Sequence, residues 1–201
     1  MLIVVPDVNV LVSRANADRA GRSSTISQKV VRQLVSGELN GEPLQLAMSF
    51  KMLDTYRDVL LRKGYDREAV AQSADGLIAL MRYGPVGFDP YLVLGGTPEP
   101  SVMDVEDGGV LATAYAAHAN ILITDNLKDF AGHDAEAYVT SVARSAAGTQ
   151  RELYCLIRKR PDGHSLIVVH PADFVRWTES GFKMSAGAIR ASCTAKPDLS
   201  R

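Results

Sequence analysis

The sequence predicts an α/β fold with a parallel central sheet, and three observations carry the prediction. Short continuous apolar runs, Leu2 to Val5 and Ile121 to Thr124, read as buried parallel strands, and Leu44 to Met48 reads as another. Segments with apolar residues at three- and four-residue spacing alternate with these runs, as the crossover helices of such a sheet would. Acidic residues stand directly after the strands, where open parallel sheets form their sites.

Composition bounds the function. The chain has 201 residues, 46% of them hydrophobic and 22% charged, which suits one globular α/β domain with a sizeable core. The formal net charge of −1 is uneven: residues 1–150 carry −5 and residues 151–201 carry +4. An acidic body with a basic C-terminal part is compatible with an acidic centre beside a phosphate-contacting surface, but not with a strongly basic nucleic-acid binder. Cys155 and Cys193 match no metal-ligand or C-x-x-C spacing and are expected as free thiols in a reducing compartment. The start, M-L-I-V-V-P-D, has no basic region and too short an apolar run for a signal peptide, and no stretch is long enough for a membrane span. A cytoplasmic protein is expected.

In chain order, Pro6 ends the first strand, and Asp7 and Asn9 follow it closely. Residues 14–24, with Arg14, Arg19 and Arg22, are small and polar and read as a loop whose arginines can meet a phosphate backbone. Thr25 and Gln28 form a capping box ahead of Val30, Val31 and Leu34 at helical spacing. Ser49 caps a helix from Phe50 to Lys63, which carries Asp54, Thr55 and Asp58, and Gly64 stops it. Asp66 to Arg82 is a further helix, and Val86 to Ser101, rich in Pro and Gly, is chiefly loop. Beyond the strand at Ile121, a short helix is expected around Ala135 to Ala147. Pro161-Asp-Gly163 then turns a hairpin between Glu152–Arg160 and Ser165–His170, with Arg158, Lys159 and Arg160 near its tip as candidate phosphate or partner contacts. Pro171 to Trp177 begins a last helix, and the chain beyond Gly181 reads as a loose tail.

The chemistry concentrates between Met103 and Phe130, M-D-V-E-D-G-G-V-L-A-T-A-Y-A-A-H-A-N-I-L-I-T-D-N-L-K-D-F. Asp104, Glu106 and Asp107 precede an Ala-rich helix, and Asp125 and Asp129 follow the strand after it. A helix entering such a strand starts on the side where the strand ends, so Asp107 and Asp125 come near each other although 18 positions apart, and Asp7 occupies the same kind of place after the first strand. Singly, each acid also serves as an N-cap or turn former. Together, carboxylates converging there repel one another unless a cation lies among them, and oxygen ligands of this kind suit Mg²⁺ or Mn²⁺. Such a centre activates water for displacement at a phosphodiester.

The order of V-V-P-D-V-N-V-L-V-S, a helix with T-Y-R-D-V-L-L-R, then D-V-E-D-G-G-V-L-A-T-A, I-L-I-T-D-N-L-K-D-F and H-P-A-D-F-V-R-W resembles the PIN-domain family of metal-dependent nucleases, often the toxins of toxin–antitoxin pairs. The resemblance implies a Rossmann-like three-layer α/β/α fold with a central parallel sheet, over residues 1–180 with a hairpin insertion about 151–170 and a tail at 181–201. It implies a Mg²⁺ or Mn²⁺ site, endoribonuclease activity on single-stranded or structured RNA, an antitoxin protein as partner, and homodimerisation, with no membrane role. By the resemblance Asp7 and Asp107 are metal ligands, Asn9 is the polar residue that accompanies the first and Asp104 is an outer acid of the metal site; the placement of the remaining residues adds Asp125 to the metal ligands, Asp54 and Asp129 as supporting catalytic acids, and Asn126 and Arg14, with Asn9, as substrate contacts. Two motifs depart from the family pattern. Thr55 stands before Tyr56 where many members have Glu, with Asp54 one place earlier, and the usual acid two places after Thr124 is Asn126. The rival expectations are a non-catalytic PIN-like RNA- or protein-binding module and an Asp-based phosphotransfer domain. The second is disfavoured because the first strand is followed by Asp7-Val-Asn9 rather than D-x-D.

Overall fold

The structure, a computed structural model, describes residues 1–91, 105–132, 134–144 and 150–196. One eight-stranded sheet runs through the described residues in the order β2 (Glu38–Leu39), β3 (Glu42–Leu46), β1 (Leu2–Pro6), β4 (Ile121–Ile123), β7 (Ser165–Val169), β6 (Gln150–Lys159), β5 (Ala135–Arg144) and β8 (Thr194–Ala195). Its centre is parallel: β1 (Leu2–Pro6) lies between β3 (Glu42–Leu46) and β4 (Ile121–Ile123), and β4 pairs with β7 (Ser165–Val169). Val4, Val5, Leu122 and Val168 are fully buried, which is why these strands read as unbroken apolar runs. The second strand starts and ends two residues earlier than the sequence suggests, and Met48 is buried beyond its end.

Helices cover the sheet. α1 (Val8–Arg19), α2 (Ile26–Ser36), α3 (Phe50–Arg62) and α4 (Arg67–Arg82) follow β1 and β3, and α5 (Val105–Ala116) leads into β4. The caps are those the sequence encodes: the Thr25–Gln28 capping box opens α2, Ser49 caps α3 and Asp66 caps α4. α1, however, takes in residues 14–19 of the stretch expected as loop, leaving only 20–24 outside a helix. Ala15 and Ala17 are buried, and Arg14 pairs with Asp18 one turn on at 2.7 Å, so the small residues make a helix face rather than a flexible segment.

The C-terminal part extends the sheet antiparallel. β6 (Gln150–Lys159) pairs with β7 across the predicted Pro161-Asp-Gly163 turn, where Gly163 has φ +85°. β5 (Ala135–Arg144) pairs antiparallel with β6 from Gln150 to Arg158. Over 135–144 this corrects the helix expected at 135–147, of which 145–147 lie outside the described residues: Tyr138, Val139, Thr140 and Val142 prefer a pleated surface, and pairing with β6 outweighs the helix propensity of the alanines around them. The expected loose tail is likewise ordered from 182 to 196, while residues 197–201 lie outside the described residues. Past α6 (Pro171–Ser180) it forms α7 (Ala186–Ser192), with Ile189 fully buried, and β8 (Thr194–Ala195), which pairs with β5 at Tyr138 and Val139. Among the described residues no helix is long and apolar enough to cross a membrane.

The arginines near the hairpin tip need a further correction. Arg158 and Arg160 are 1% and 7% exposed, whereas Lys159 is exposed. Arg158 donates to the Phe130 carbonyl at 3.1 Å and pairs with Asp134 at 2.6 Å. Arg160 donates to the carbonyls of His118 and Ala119 and grips Asp162 through both Nε and Nη2. Arg158 in β6 and Arg160 just past its end both turn their guanidiniums inward, where they close the loops ending α5 and the 3₁₀ turn Leu127–Phe130; they are not RNA contacts.

Candidate functional site

Parallel strands place their loops at one rim, and the register shows which residues share it. Pro6 pairs with Ile123, and Ile123 with Val169. The next positions, Asp7, Thr124 and His170, therefore form a row at the carboxyl ends of β1, β4 and β7. The chain leaves β1 towards β3 on one side and later returns to β4 on the other, so this is the switch point where open α/β sheets bind ligands. α5, which precedes β4, starts at the same rim and brings Glu106 and Asp107 there in its first turn.

Asp7 is the best-defined member. It is 3% exposed, and its backbone N–H continues the ladder to the Ile123 carbonyl at 2.8 Å. Its Oδ1 caps α1 by accepting the Asn9 N–H at 3.4 Å, and its Oδ2 accepts the Thr124 hydroxyl at 2.8 Å. Burial pushes its carboxyl above the usual carboxylate range, with the bonds from Thr124, Asn9 and Val8 opposing the shift. Among the described residues no cationic side chain pairs with it. A buried carboxylate held by hydroxyl and amide donors, with no counter-charge, suits a cation.

The other sequence-predicted residues are arranged differently. Asp125 is 47% exposed and faces His170, with Oδ1 3.5 Å from Nε2. Asn126 donates its side-chain amide to Asp129, and its backbone N–H to Thr124 Oγ1 at 3.0 Å. Asp54 lies on the surface of α3 at 3.8 Å from Arg57, while Tyr56 of the same helix is buried and shares a hydrogen bond with Ser73 at 2.7 Å. Arg14 is engaged by Asp18, and the side chain of Asn9 is exposed. Asp107 is half-buried and engaged, and Asp104 lies outside the described residues. Among the described residues no three His, Cys, Asp or Glu side chains gather closely enough to hold a metal ion. The expected trio of Asp7, Asp107 and Asp125 forms no such group, and Asp125 faces His170. A divalent ion would here be held through one or two carboxylates, with water completing its shell, rather than by a cage of acids.

Sequence reasoning missed Thr124 as the partner of Asp7, and it missed His170. His170 caps α6 through Nδ1, which accepts the Ala172 N–H at 3.1 Å. A ring nitrogen that accepts there carries no proton, so the proton of the neutral ring sits on Nε2, facing Asp125. The signal was present: His170 directly follows an apolar strand and precedes a helix, as Asp7 does.

A family model described as a PIN domain matches residues 4–128, well over half the chain. The chain belongs to the PIN-domain family. PIN domains are in general metal-dependent nucleases that act on RNA, and the match takes in Asp7, Asp107, Thr124, Asp125 and Asn126. No curated protein and no solved structure matches the chain significantly. The strands β5 to β8 with α6 and α7 lie beyond the matched residues of the PIN domain.

Proposed function

We propose that this PIN-domain protein is a Mg²⁺- or Mn²⁺-dependent endoribonuclease whose metal ligand is Asp7, and that it is the toxin of a toxin–antitoxin pair acting in the cytoplasm. The supporting observation is the Asp7 carboxylate itself, buried at the switch point of a PIN sheet with no cationic side chain against it among the described residues. When bound, the ion would lower the pKa of a water and neutralise charge in the displacement at phosphorus.

The residues of the chain would then divide the work. Thr124 fixes the Asp7 carboxylate by occupying one lone pair of Oδ2, leaving its remaining acceptor sites for the ion. Asp107 and Asp125 are the nearest candidates on the same rim to complete the centre, with Asp54 and Asp129 in outlying support. Asn126, held by Thr124 and Asp129, and Asn9 present amides to substrate.

The test is cleavage of single-stranded and structured RNA by purified protein with Mg²⁺, Mn²⁺ or EDTA. Cleavage that needs the ion and disappears in Asp7→Asn supports the reading; metal-independent cleavage, or full cleavage by Asp7→Asn, overturns it. The want of three gathered acids among the described residues favours the second reading, a non-catalytic RNA- or protein-binding module. Mn²⁺ calorimetry separates the two, because the module would take up no metal at millimolar concentration. The toxin role is tested by co-expressing the neighbouring gene's product and looking for a complex and loss of cleavage, and homodimerisation by light scattering.

A further inference from the structure

The antiparallel addition outside the PIN match does more than widen the sheet. β6 pairs with β7 only from Leu156 to Lys159, in antiparallel register, so Gln150 to Tyr154 continue beyond the carboxyl end of β7 on the rim that carries Asp7, Thr124 and His170. At about 3.4 Å per residue this raises a two-stranded arm roughly 17 Å above that rim. The arm is braced. A register shift between Val139 and Ser141 turns Thr140 towards α6, where its hydroxyl bonds buried Asp173; Ser141 reaches Asp173 at 3.4 Å, and Arg176 donates to the Thr140 carbonyl at 3.0 Å.

At the foot of the arm lies a cavity of about 210 Å³, walled on one side by Asp125, Asn126 and Lys128 and on the other by Glu152, Tyr154 and His170. Its chemistry is that of a nucleotide subsite. Tyr154 and His170 are both only partly buried and bring aromatic side chains to the wall, with the Lys196 ammonium over one face of the Tyr154 ring at 5.4 Å from its centroid, and Asn126 brings an amide. Lys128 is exposed and makes no ion pair among the described residues, whereas the carboxylate of Glu152 is neutralised by Lys196 at 2.7 Å. Rings that accept any π-face beside a cation for the phosphate are the means by which proteins hold unpaired bases.

We propose that this cavity binds one unpaired base of single-stranded RNA, stacked on Tyr154 with its phosphate at Lys128, and so sets which nucleotide lies beside the candidate metal centre. The inference rests on the endoribonuclease reading, and its test keeps the two apart. Full-length Asp7→Asn protein in EDTA, which holds RNA without cutting it, is titrated into a fluorescent single-stranded oligoribonucleotide and into a duplex of the same sequence. Tyr154→Thr, which keeps a strand-forming residue, is expected to weaken single-strand binding by about 5- to 150-fold, with Tyr154→Phe close to the parent and duplex binding unchanged. Lys128→Ala, in an exposed turn where folding is not at risk, is expected to weaken binding and flatten the salt dependence by about 0.7 in log–log slope. Single-strand binding that is unchanged in both Tyr154→Thr and Lys128→Ala overturns the subsite alone. Absence of any single-strand binding by the parent likewise overturns the subsite, whereas the endoribonuclease reading stands or falls on Mg²⁺- or Mn²⁺-dependent cleavage by the wild-type protein.

Discussion

Thr124 and Asp7, 117 positions apart, are joined by a 2.8 Å hydrogen bond that ties the end of β4 to the end of β1. The same Thr124 hydroxyl oxygen accepts the backbone N–H of Asn126 at 3.0 Å, so one side chain sets both the first acid and the loop after β4. Thr124→Val keeps the shape and removes both bonds. It should destabilise the protein by about 1–3 kcal/mol, because a buried acceptor and a backbone donor lose their partner. It should also raise the Asp7 pKa further, since the Thr124 bond is the largest influence opposing burial. The acid limb of the cleavage–pH profile would then move to higher pH, while Thr124→Ser restores both stability and profile. A Val variant with the wild-type profile would show that the bond does not govern Asp7.

Asp7→Asn separates stability from activity. Burial raises the Asp7 pKa in the folded state, so the folded protein binds this proton more tightly than the unfolded chain does. Stability from this group is therefore greatest below the unfolded carboxylate pKa of about 3.9, declines as pH rises through the raised folded value, and stays diminished at neutral pH. Asn caps a helix as well as Asp and carries no charge. Without metal, the variant should melt higher than wild type at pH 7, by on the order of 1 kcal/mol or about 2–4 °C, with the gap closing towards pH 4. Added Mn²⁺ should raise the melting temperature of wild type and leave the variant unmoved. Equal responses of the two proteins to Mn²⁺ would remove Asp7 from the metal centre.

His170 has two roles on two nitrogens, and substitution can divide them. His170→Ala removes the α6 cap and should cost about 0.5–2 kcal/mol, whereas His170→Asn replaces the acceptor and should melt near wild type. Both lose the Nε2 group facing Asp125 at 3.5 Å. If His170 orients Asp125 for the nuclease site, both variants lose cleavage to a similar degree despite their different stabilities. Cleavage that tracks melting temperature instead would reduce His170 to a cap.

The sequence carried the parallel half of the fold because that half is written locally. Apolar runs buried on both faces, capping residues ahead of helices and an acid after a strand each need only a few neighbouring residues to be recognised. The antiparallel half depends on distant partners. Ala135 to Ala143 holds enough alanine to read as helix, and only its ladder with β6 makes it a strand. Arg158 and Arg160 look like a solvated basic tip beside a turn, and their burial is apparent only once Phe130, Asp134, His118 and Ala119 are brought against them. The site divides along the same line. The place of Asp7 at the rim of the sheet was legible from its position after a strand; the turning of Asp125 to His170 was not, because it depends on the register between β4 and β7.

That burial yields a last prediction. Asp162 accepts from His118 and from Arg160, and these partners hold its carboxyl well below the usual carboxylate range. A depressed carboxylate contributes stability above its unfolded pKa that is lost as pH falls through the folded value. Asp162→Asn should therefore melt below wild type at neutral pH, and the difference should shrink on acidification. Arg160→Met leaves the His118 and Ala119 carbonyls without their donor and should cost more, about 2–3 kcal/mol. Arg160→Lys should recover little of that loss, because an ammonium cannot span two carbonyls and a bidentate carboxylate at once. Lys159→Ala, on the exposed face of the same strand, should change neither stability nor the salt dependence of RNA binding. Weakened RNA binding in Lys159→Ala would return this hairpin to the list of nucleic-acid contacts, and full stability of Arg160→Met would deny the buried arginine its structural role.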